Sequence, residues 1–273
     1  MGRAGSGADG TGTGVFSKLF GRKTQKAPPS TGGRLVYAVG DVHGRHDLLQ
    51  GLVRQIARDA EAQNPSEQPM LVFLGDYVDR GPHSRQVVDT ILALHEAPAF
   101  EVRALKGNHE EALLRFLEEP AFGTTWAEHG GSATLASYGV QPPATRTDVE
   151  AWARASEDFA ARLPGEHLDF YRGLDLVLEV GDYAFVHAGV RPGVPLAQQS
   201  ERDLLWIRGE FLQAPGPFDK VIVHGHTPME EPQLTGHRVG LDTGAYATGV
   251  LTAARLDDKG PAIIQARVGR AAA

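Results

Sequence analysis

The sequence predicts an α/β fold, a mixed β-sandwich flanked by helices in four α-β-β-α layers. Three apolar runs in the first half, at 35–39, 70–74 and 101–105, alternate with segments whose apolar residues recur at helical spacing. This alternation is typical of a parallel sheet covered by helices. In the second half short apolar runs follow one another with few helical segments between them, which indicates a second sheet.

Each of the first three predicted strands ends in a polar, glycine-bounded cluster. The first cluster is 40–44 and precedes a helix expected at 47–60, and the second is 75–81 and precedes a helix expected at 84–95. The third cluster, 106–110, follows the strand 101–105. Because open α/β sheets place their chemistry at the carboxyl ends of the strands, we expect the three clusters to lie side by side.

The segment 111–172 is polar and follows a helical pattern, so it predicts a helical insertion beside the site. Its expected buried anchors are large or apolar side chains: Trp126, Leu135, Trp152 and Phe159. Beyond it, Gly181-Asp182 predicts a tight hairpin. The strands expected in the second, mostly antiparallel sheet are 174–180, 183–186, 221–223, 238–242, 250–254 and 262–264.

The composition of the 273 residues excludes several kinds of protein. There is no cysteine, which rules out disulfides, thiolate metal ligands and a cysteine nucleophile, and is consistent with the expected cytoplasmic location. The net charge of −7 argues against a nucleic-acid partner. No apolar run approaches the roughly 20 residues of a membrane span, so no stable membrane insertion is expected.

The chain divides into a leader and one large domain. Residues 1–32 are rich in Gly, Ser and Thr and are expected to be disordered, because such a segment buries too little apolar surface to offset its ordering entropy. A short basic amphipathic patch at 15–23 lies within this leader. Residues 33–273 carry the predicted sheets and all the polar clusters.

The predicted strand ends collect oxygen and imidazole donors, and no sulfur. These candidate ligands are Asp41, His43, Asp76, Asn108, His187 and His226. Such a set suits two divalent ions of the Mn, Fe or Zn type and is richer in imidazole than Mg or Ca sites usually are. A carboxylate can bridge two ions, and Asp76 is the central candidate.

Five motifs, each at the end of a predicted strand, resemble those of a known family. They are GDVHG at 40–44, GDYVDRG at 75–81, GNHE at 107–110, HAG at 187–189 and GHT at 225–227. Together they resemble the metallophosphoesterases, in particular the serine/threonine phosphatases of the phosphoprotein-phosphatase family in its bacterial and phage branch. The resemblance implies a calcineurin-like domain over 33–273.

The resemblance also implies a dinuclear metal centre in which Asp76 bridges both ions. Asp41 and His43 would complete the first ion's ligands, with Mn²⁺ the expected metal. The second ion would be held by Asn108, His187 and His226. In addition, His224 is expected to be a neighbour of the site, and Asp242 to support His226.

Catalytic roles follow from the same resemblance. His109 would be the general acid that protonates the leaving alkoxide, and Asp79 would orient it. Arg80, Arg208 and Asn108 would bind the phosphate. Planar guanidinium groups suit phosphate oxygens, and two nearby cations can generate hydroxide at neutral pH. The attack on phosphorus is then expected to be direct, with inversion of configuration.

The resemblance favours a metal-dependent serine/threonine protein phosphatase acting on phosphorylated proteins. An alternative is a dinucleoside polyphosphate hydrolase like the symmetrical diadenosine tetraphosphatases, which this chain resembles in 81–84 and in the insertion. That branch usually lacks an acid at Asp79 and has Asp at the position of Glu110, so it ranks second. A second alternative is an inactive phosphoprotein-binding scaffold.

Overall fold

The computed structural model of the chain describes residues 1–2 and 28–268. Among them the strands are β1 Val36–Val39, β2 Met70–Phe73, β3 Glu101–Ala104, β4 Val177–Val180, β5 Tyr183–Val186, β6 Val221–His224, β7 Gln233–Leu234, β8 Arg238–Gly240, β9 Val250–Leu256 and β10 Ala262–Arg267. The helices are α1 His46–Gln63, α2 Ser84–Glu96, α3 Asn108–Glu118, α4 Gly123–Glu128, α5 Gly131–Ser137, α6 Val149–Arg162, α7 Gly165–Arg172, α8 Glu201–Trp206, α9 Gly209–Leu212 and α10 Ala245–Thr248.

The strands form two five-stranded sheets. The order in the first sheet is β10-β9-β1-β2-β3, with β1, β2 and β3 parallel and β9 antiparallel to both of its neighbours. The order in the second sheet is β4-β5-β6-β8-β7, with β5, β6 and β8 parallel. The parallel strands of both sheets therefore have common carboxyl ends, from which long loops emerge.

The alternation of side chains along the strands builds the four layers. Val36 and Ala38 of β1 pack in a core with Phe185 and Val223 of the second sheet. On the opposite face of β1, Tyr37 packs in another core together with helices α1 and α2 and the insertion. A third core joins the outer face of the second sheet to α8 and α9. The predicted fold class, a mixed β-sandwich between helical layers, is confirmed.

The sheet assignment of the last two strands was wrong. The runs at 250–254 and 262–264 were expected in the second sheet, but β9 and β10 extend the first sheet from β1. Both faces of β9 are apolar: Leu251 faces the core beneath the helices, whereas Leu256 faces the core between the sheets. A strand buried on both faces fits an interior position between β1 and β10.

The second sheet is mixed rather than mostly antiparallel. The hairpin predicted at Gly181-Asp182 joins β4 to β5 in antiparallel register. The connection from β5 to β6 is long and contains α8 and α9, which is the kind of crossover that a parallel pair requires. Of the expected strand 174–180, only Val177–Val180 forms β4, and Asp175 forms an isolated parallel bridge with Leu105.

The helical segment begins earlier than 111, because Asn108 and His109 already belong to the first turn of α3. Most of the leader and its basic patch at 15–23 lie outside the described residues. Thr31, near the leader's end, is buried and bonds to Asp258. None of the described helices combines the length and apolar character that crossing a bilayer demands.

Candidate active site

The polar clusters meet at the common edge of the two sheets. Every predicted metal ligand is buried there, and each follows a strand or opens the helix after one: Asp41, His43, Asp76, Asn108, His187 and His226. The topology explains the meeting, because the carboxyl ends of β1, β2 and β3 adjoin those of β5 and β6 across the sandwich.

Asp76 stands between two groups of donors. On one side, His43 and His109 have nitrogens that could share a cation with an Asp76 oxygen, and His43 Nε2 lies 3.5 Å from Asp76 Oδ2. On the other side, His187 and His226 complete a second such group, and His187 Nε2 lies 3.4 Å from Asp76 Oδ1. The carboxylate thus presents one oxygen to each group, as a bridging ligand would.

Backbone carbonyls fix which nitrogen of two imidazoles carries the proton. His43 Nδ1 lies 2.8 Å from the Val78 carbonyl oxygen, and His187 Nδ1 lies 2.8 Å from that of Leu74. A carbonyl only accepts, so each Nδ1 donates. Burial lowers the pKa of His43 to about 3 and also lowers that of His187, so both rings are neutral. Each Nε2 therefore points an unprotonated lone pair into the site.

The convergence of acceptors around His187 fits a cation. Its Nε2 lies 2.9 Å from Asn108 Oδ1 and 3.4 Å from Asp76 Oδ1. All three atoms are acceptors when the imidazole proton is on Nδ1, so no proton is available to join them. A divalent ion among them could contact all three, and nitrogen and oxygen donors of this type suit Mn, Fe or Zn.

His226 and Arg208 form a separate pair at the edge of this group. Arg208 Nε donates to His226 Nε2 at 2.9 Å, and His226 Nδ1 lies 2.8 Å from Asn108 Oδ1. A cation held by Nδ1 would require the ring proton to move to Nε2, where it would oppose the Arg208 N–H. Metal binding at His226 would therefore release the guanidinium of Arg208.

Asp41 belongs to neither of the two groups, although it lies at the same sheet edge. Its two oxygens accept the backbone N–H of His226 at 3.0 and 3.2 Å. Gly225 is required for this approach, because a Cβ there would overlap the Asp41 carboxylate. Burial, together with the charges of Asp242 and Asp76, raises the pKa of Asp41 well above its usual range.

Asp242 lies elsewhere than expected, whereas His224 lies beside the site as expected. Asp242 accepts a hydrogen bond from Gly244 N at 2.8 Å, and the described residues show no bond from it to His226. Its charge acts on Asp41 instead. His224 is buried against the ring of Phe211, and it is a neighbour of the site rather than a member of either group.

His109 and Asp79 form a buried dyad. His109 Nδ1 lies 2.6 Å from Asp79 Oδ2, and Asp79 has no exposed surface. Burial disfavours the protonated imidazole, but the negative charges of Asp76 and Asp79 outweigh it and raise the pKa of His109 to about 9. Nε2 lies 3.8 Å from Asp76 Oδ2. The geometry can deliver a proton at the metal-binding edge.

Arg80 is aimed at the same edge. Its two terminal nitrogens lie 2.9 Å from His43 Nε2 and 3.1 Å from His109 Nε2. The ring of Tyr246 stacks on the guanidinium, with the central carbon 4.6 Å from the ring centroid. This packing holds the planar fork across the mouth of the site, where it could bind two oxygens of a phosphate.

Glu110 organises the backbone of the site from beneath. Its carboxylate accepts N–H bonds from Asp76, Tyr77 and Gly107 at 2.8 to 2.9 Å. Burial and the nearby charge of Asp76 raise the pKa of Glu110, whereas the bonds from the backbone N–H groups of Tyr77 and Asp76 lower it and favour the ionised carboxylate. Glu110 thus connects the loop after β2 to the start of α3 through hydrogen bonds.

Backbone strain is concentrated in these loops. Among the described residues six that are not glycine have positive φ, and one of them, Asn64, ends a helix. The other five belong to the site: His43, Asp76, Asp79, Arg80 and His226. Such conformations persist only where surrounding contacts enforce them, and they cluster at functional sites.

Two residues of the insertion touch the site, although sequence reasoning gave them no role there. Trp126 Nε1 lies 2.8 Å from Asp79 Oδ2, and Thr134 Oγ1 lies 2.6 Å from Asp79 Oδ1. Trp126 was expected only as a buried anchor, and the motifs do not include Thr134. The local sequence offers one signal, the pair Gly130-Gly131, which allows tight packing against Trp126 and Arg80.

Comparisons with known proteins agree with this architecture. The bis(5'-nucleosyl)-tetraphosphatase PrpE (asymmetrical) of Anoxybacillus flavithermus is 28% identical over 235 residues, which cover 80% of this chain and 88% of that protein. The protein of the same name from Bacillus velezensis is 27% identical, with 81% and 88% covered.

Solved structures show the same fold at lower identity. A protein described as a candidate diadenosine tetraphosphatase has a TM-score of 0.57 and 20% identity, with 89% of this chain and 98% of that chain covered. A Saccharomyces cerevisiae serine/threonine phosphatase with similarity to human PP5 has a TM-score of 0.52 and 15% identity, with 87% and 81% covered. Residues 35–257 match the family model for the calcineurin-like phosphoesterases. The chain therefore belongs to the calcineurin-like phosphoesterase family.

Proposed function

We propose that this protein is a divalent-metal-dependent hydrolase of dinucleoside polyphosphates, which splits a dinucleoside tetraphosphate asymmetrically. The observation that carries the hydrolytic chemistry is the pair of buried donor groups that share Asp76 beside two arginines. The substrate class is supported by the similarity to proteins named bis(5'-nucleosyl)-tetraphosphatase (asymmetrical). We therefore rank the dinucleoside polyphosphate hydrolase ahead of the serine/threonine protein phosphatase. We also propose asymmetrical cleavage in place of the symmetrical cleavage that the sequence suggested.

The metal-binding roles proposed from the sequence remain our assignment. Asp76, Asp41 and His43 would hold one ion, and Asp76 together with Asn108, His187 and His226 would hold the other. Two divalent cations at these donors would supply a nucleophilic water at neutral pH and offset phosphate charge. Mn²⁺ is the first choice, with Fe or Zn compatible with the same ligands.

The side chains around the metal-binding edge position the substrate. Arg80 binds phosphate oxygens with a guanidinium already held flat by Tyr246. Arg208, once released from His226, reaches the same phosphate from the other side. Asn108 contributes its amide N–H to phosphate while its Oδ1 faces His187 and His226. These contacts hold the phosphorus for direct attack by water.

His109 is placed to donate a proton to a departing oxygen that needs one. Asp79 accepts from Nδ1, so the second ring proton would be carried by Nε2. Arg80 donates to that nitrogen at 3.1 Å, so its guanidinium would have to turn from His109 to the phosphate when Nε2 is protonated. The raised pKa keeps His109 protonated around neutral pH. A proton placed at hydrogen-bond distance from a leaving oxygen accelerates its departure by about 10²- to 10⁴-fold.

Two exposed aromatic side chains flank the centre and favour a nucleotide substrate. Tyr246 is 40% exposed, and its ring lies 5.4 Å from that of His43. Trp206 is 43% exposed, and its ring lies 6.2 Å from that of His226. Nucleobases stack on such rings, with each stack contributing about 1–3 kcal/mol. The two nucleosides of the substrate can therefore be held on opposite sides of the phosphate chain.

A comparison of substrates tests the proposal. With Mn²⁺ added, kcat/KM for diadenosine tetraphosphate should exceed that for a phosphoserine peptide by at least about tenfold, which corresponds to about 1.4 kcal/mol of transition-state stabilisation. A preference for the phosphopeptide would contradict the proposal and favour a protein phosphatase. Failure to hydrolyse even an activated aryl phosphate would favour the scaffold.

The protein phosphatase remains the second candidate because of the acid dyad. A serine alkoxide is a poor leaving group and needs a proton, whereas a polyphosphate leaves readily without one. The buried pairing of His109 with Asp79 is what an ester hydrolase requires. The values of kcat/KM for the two substrates, measured on the same enzyme, distinguish the two candidates.

A further inference from the structure

The carboxylate of Asp79 is held by the helical insertion as well as by His109. Oδ2 accepts from Trp126 Nε1 at 2.8 Å, and Oδ1 accepts from Thr134 Oγ1 at 2.6 Å. The Thr134 oxygen in turn accepts the backbone N–H of Asp79 at 2.8 Å. Ser84 Oγ lies 3.0 Å from Thr134 Oγ1 and also receives the Asp79 N–H, at 3.1 Å. The carboxylate and its own amide are therefore fixed together.

The donors come from helices far along the chain from Asp79. Trp126 lies on α4 and Thr134 on α5, and both side chains have no exposed surface. The turn between these helices contains Gly130, whose carbonyl accepts the backbone N–H of Arg80 at 3.2 Å. Gly131 packs on the Trp126 ring so closely that a Cβ would overlap it. The insertion thus contacts two consecutive residues of the catalytic loop.

The backbone of both residues is strained. Asp79 has a φ of 72° and Arg80 a φ of 67°, both in the left-handed region that side chains other than glycine rarely adopt. The bonds from Thr134, Ser84 and Gly130 all fall on this strained pair. The strain persists because these contacts enforce it.

We propose that Trp126 and Thr134 are positioning residues for the general acid, so that the helical insertion completes the catalytic machinery. Trp126 shares Asp79 Oδ2 with His109, which sets the direction in which that oxygen faces the imidazole. Thr134 anchors the other oxygen and prevents rotation of the carboxylate. His109 is thereby held with Nε2 towards the leaving oxygen. This inference rests on the proposed hydrolytic function.

A second buried tryptophan in the insertion, Trp152, serves as a control, because its contacts are structural and do not include the dyad. Trp152 on α6 is also buried, and its Nε1 donates to the Arg146 carbonyl at 3.0 Å. Both indoles pack on Phe116, with ring centroids 4.9 Å away for Trp126 and 5.9 Å for Trp152. Trp126→Phe and Trp152→Phe each remove one indole N–H bond, but only the first bond reaches the dyad.

The test measures how each variant depends on the leaving group. With the Mn²⁺-loaded enzyme, Trp126→Phe should lower kcat on phenyl phosphate and phosphoserine about tenfold, because supporting hydrogen bonds of this kind are worth about 10- to 100-fold. On p-nitrophenyl phosphate, whose leaving group needs no proton, the change should be less than about twofold. KM should stay near that of the wild type, and Trp152→Phe should show no such leaving-group dependence.

Thr134 supplies a second, independent pair of variants. Thr134→Val removes the hydroxyl and should reproduce the leaving-group dependence, whereas Thr134→Ser keeps a donor and should restore most of the activity. If circular dichroism shows that Trp126→Phe does not fold, the comparison of Thr134→Val with Thr134→Ser tests the positioning role instead.

Three outcomes would overturn the inference. The first is that Trp126→Phe slows both classes of monoester equally, and the second is that Thr134→Val matches Thr134→Ser. The third is that the Mn²⁺-loaded wild type hydrolyses no monoester at all. A wild type that cleaves monoesters but not diadenosine tetraphosphate would contradict the proposed substrate alone.

Discussion

His109 has two possible roles at the scale of single residues, because it belongs both to a metal-binding group and to the dyad with Asp79. Burial lowers the pKa of the ring, but the charge of Asp76 and the bond from Nδ1 to Asp79 outweigh this effect and raise the pKa. A protonated imidazole cannot be a metal ligand, since both of its nitrogens then carry hydrogen. The acid role is therefore favoured over the ligand role.

The variant His109→Ala separates these roles. We expect kcat on phosphoserine to fall by about 10²- to 10⁴-fold because the leaving oxygen loses its proton donor. Metal content by mass spectrometry should be unchanged. His95→Ala, an exposed histidine of α2, serves as the control and should keep full activity. Loss of metal from His109→Ala would instead make His109 a ligand, and undiminished turnover would remove it from both roles.

The motifs predicted the residues that follow strands but not those that support them. Asp41, His43 and Asp76 are identifiable because each lies within a few residues of an apolar strand and a glycine. Trp126 and Thr134 have no such marker, since they reach Asp79 from 47 and 55 positions away along the chain. A contact between a loop and a distant insertion depends on packing, which short motifs do not encode.

At the scale of elements, Glu110 joins the loop after β2 to helix α3. The carboxylate accepts N–H bonds from Asp76 and Gly107 at one oxygen, and from Tyr77 and Val78 at the other. All these donors are buried. Any side chain without two accepting oxygens leaves some of them without a partner.

Glu110→Gln should therefore destabilise the fold, although it preserves size and shape. Its NH₂ group must face one of the two pairs of backbone donors, at a cost of about 1–3 kcal/mol. Urea denaturation measures the loss. The neighbouring Glu111 bonds instead to the exposed Trp206, so Glu111→Gln should change stability by less than about 0.5 kcal/mol. Equal stability of the two variants would contradict the bracing role of Glu110.

Element assignment from the sequence succeeded where periodicity is strong and failed where pairing is non-local. The apolar runs before 40, 75 and 106 became β1, β2 and β3, as expected. The prediction that β9 belongs to the second sheet was wrong, since β9 pairs with β1 and β10. The sequence shows that both faces of 250–254 are apolar, but it does not show which strands lie beside this segment. Strand order is fixed by packing across the sandwich.

At the scale of the whole molecule, many charged and polar groups are buried at one sheet edge, and a bound cation should stabilise the fold. Mn²⁺ at about 100 times its Kd adds about 2.7 kcal/mol. For a chain of this size that corresponds to a rise in Tm of about 5–10 °C. Differential scanning calorimetry with Mn²⁺ and with a chelator measures this gain, and Asp76→Asn should abolish it. A wild type that does not respond to Mn²⁺ would contradict the metal assignment.

The rise in Tm caused by Mn²⁺ should also depend on pH. Burial, Asp242 and Asp76 raise the pKa of Asp41, so a proton occupies that carboxylate at pH values where a free Asp is ionised. A cation must displace this proton, and protons compete better at low pH. The rise in Tm caused by Mn²⁺ should therefore be larger at pH 8 than at pH 6. The opposite order would contradict this competition between protons and Mn²⁺.

The catalytic edge, the arginines and the exposed rings of Trp206 and Tyr246 together suit a phosphate chain with a base at each end. The most direct measurement is the identity of the products formed from diadenosine tetraphosphate by the Mn²⁺-loaded protein, separated by ion-exchange chromatography. Asymmetrical hydrolysis predicts AMP and ATP in equal amounts, with no product after chelation of the metal. Formation of ADP alone, or no cleavage under conditions where an aryl phosphate is hydrolysed, would contradict it.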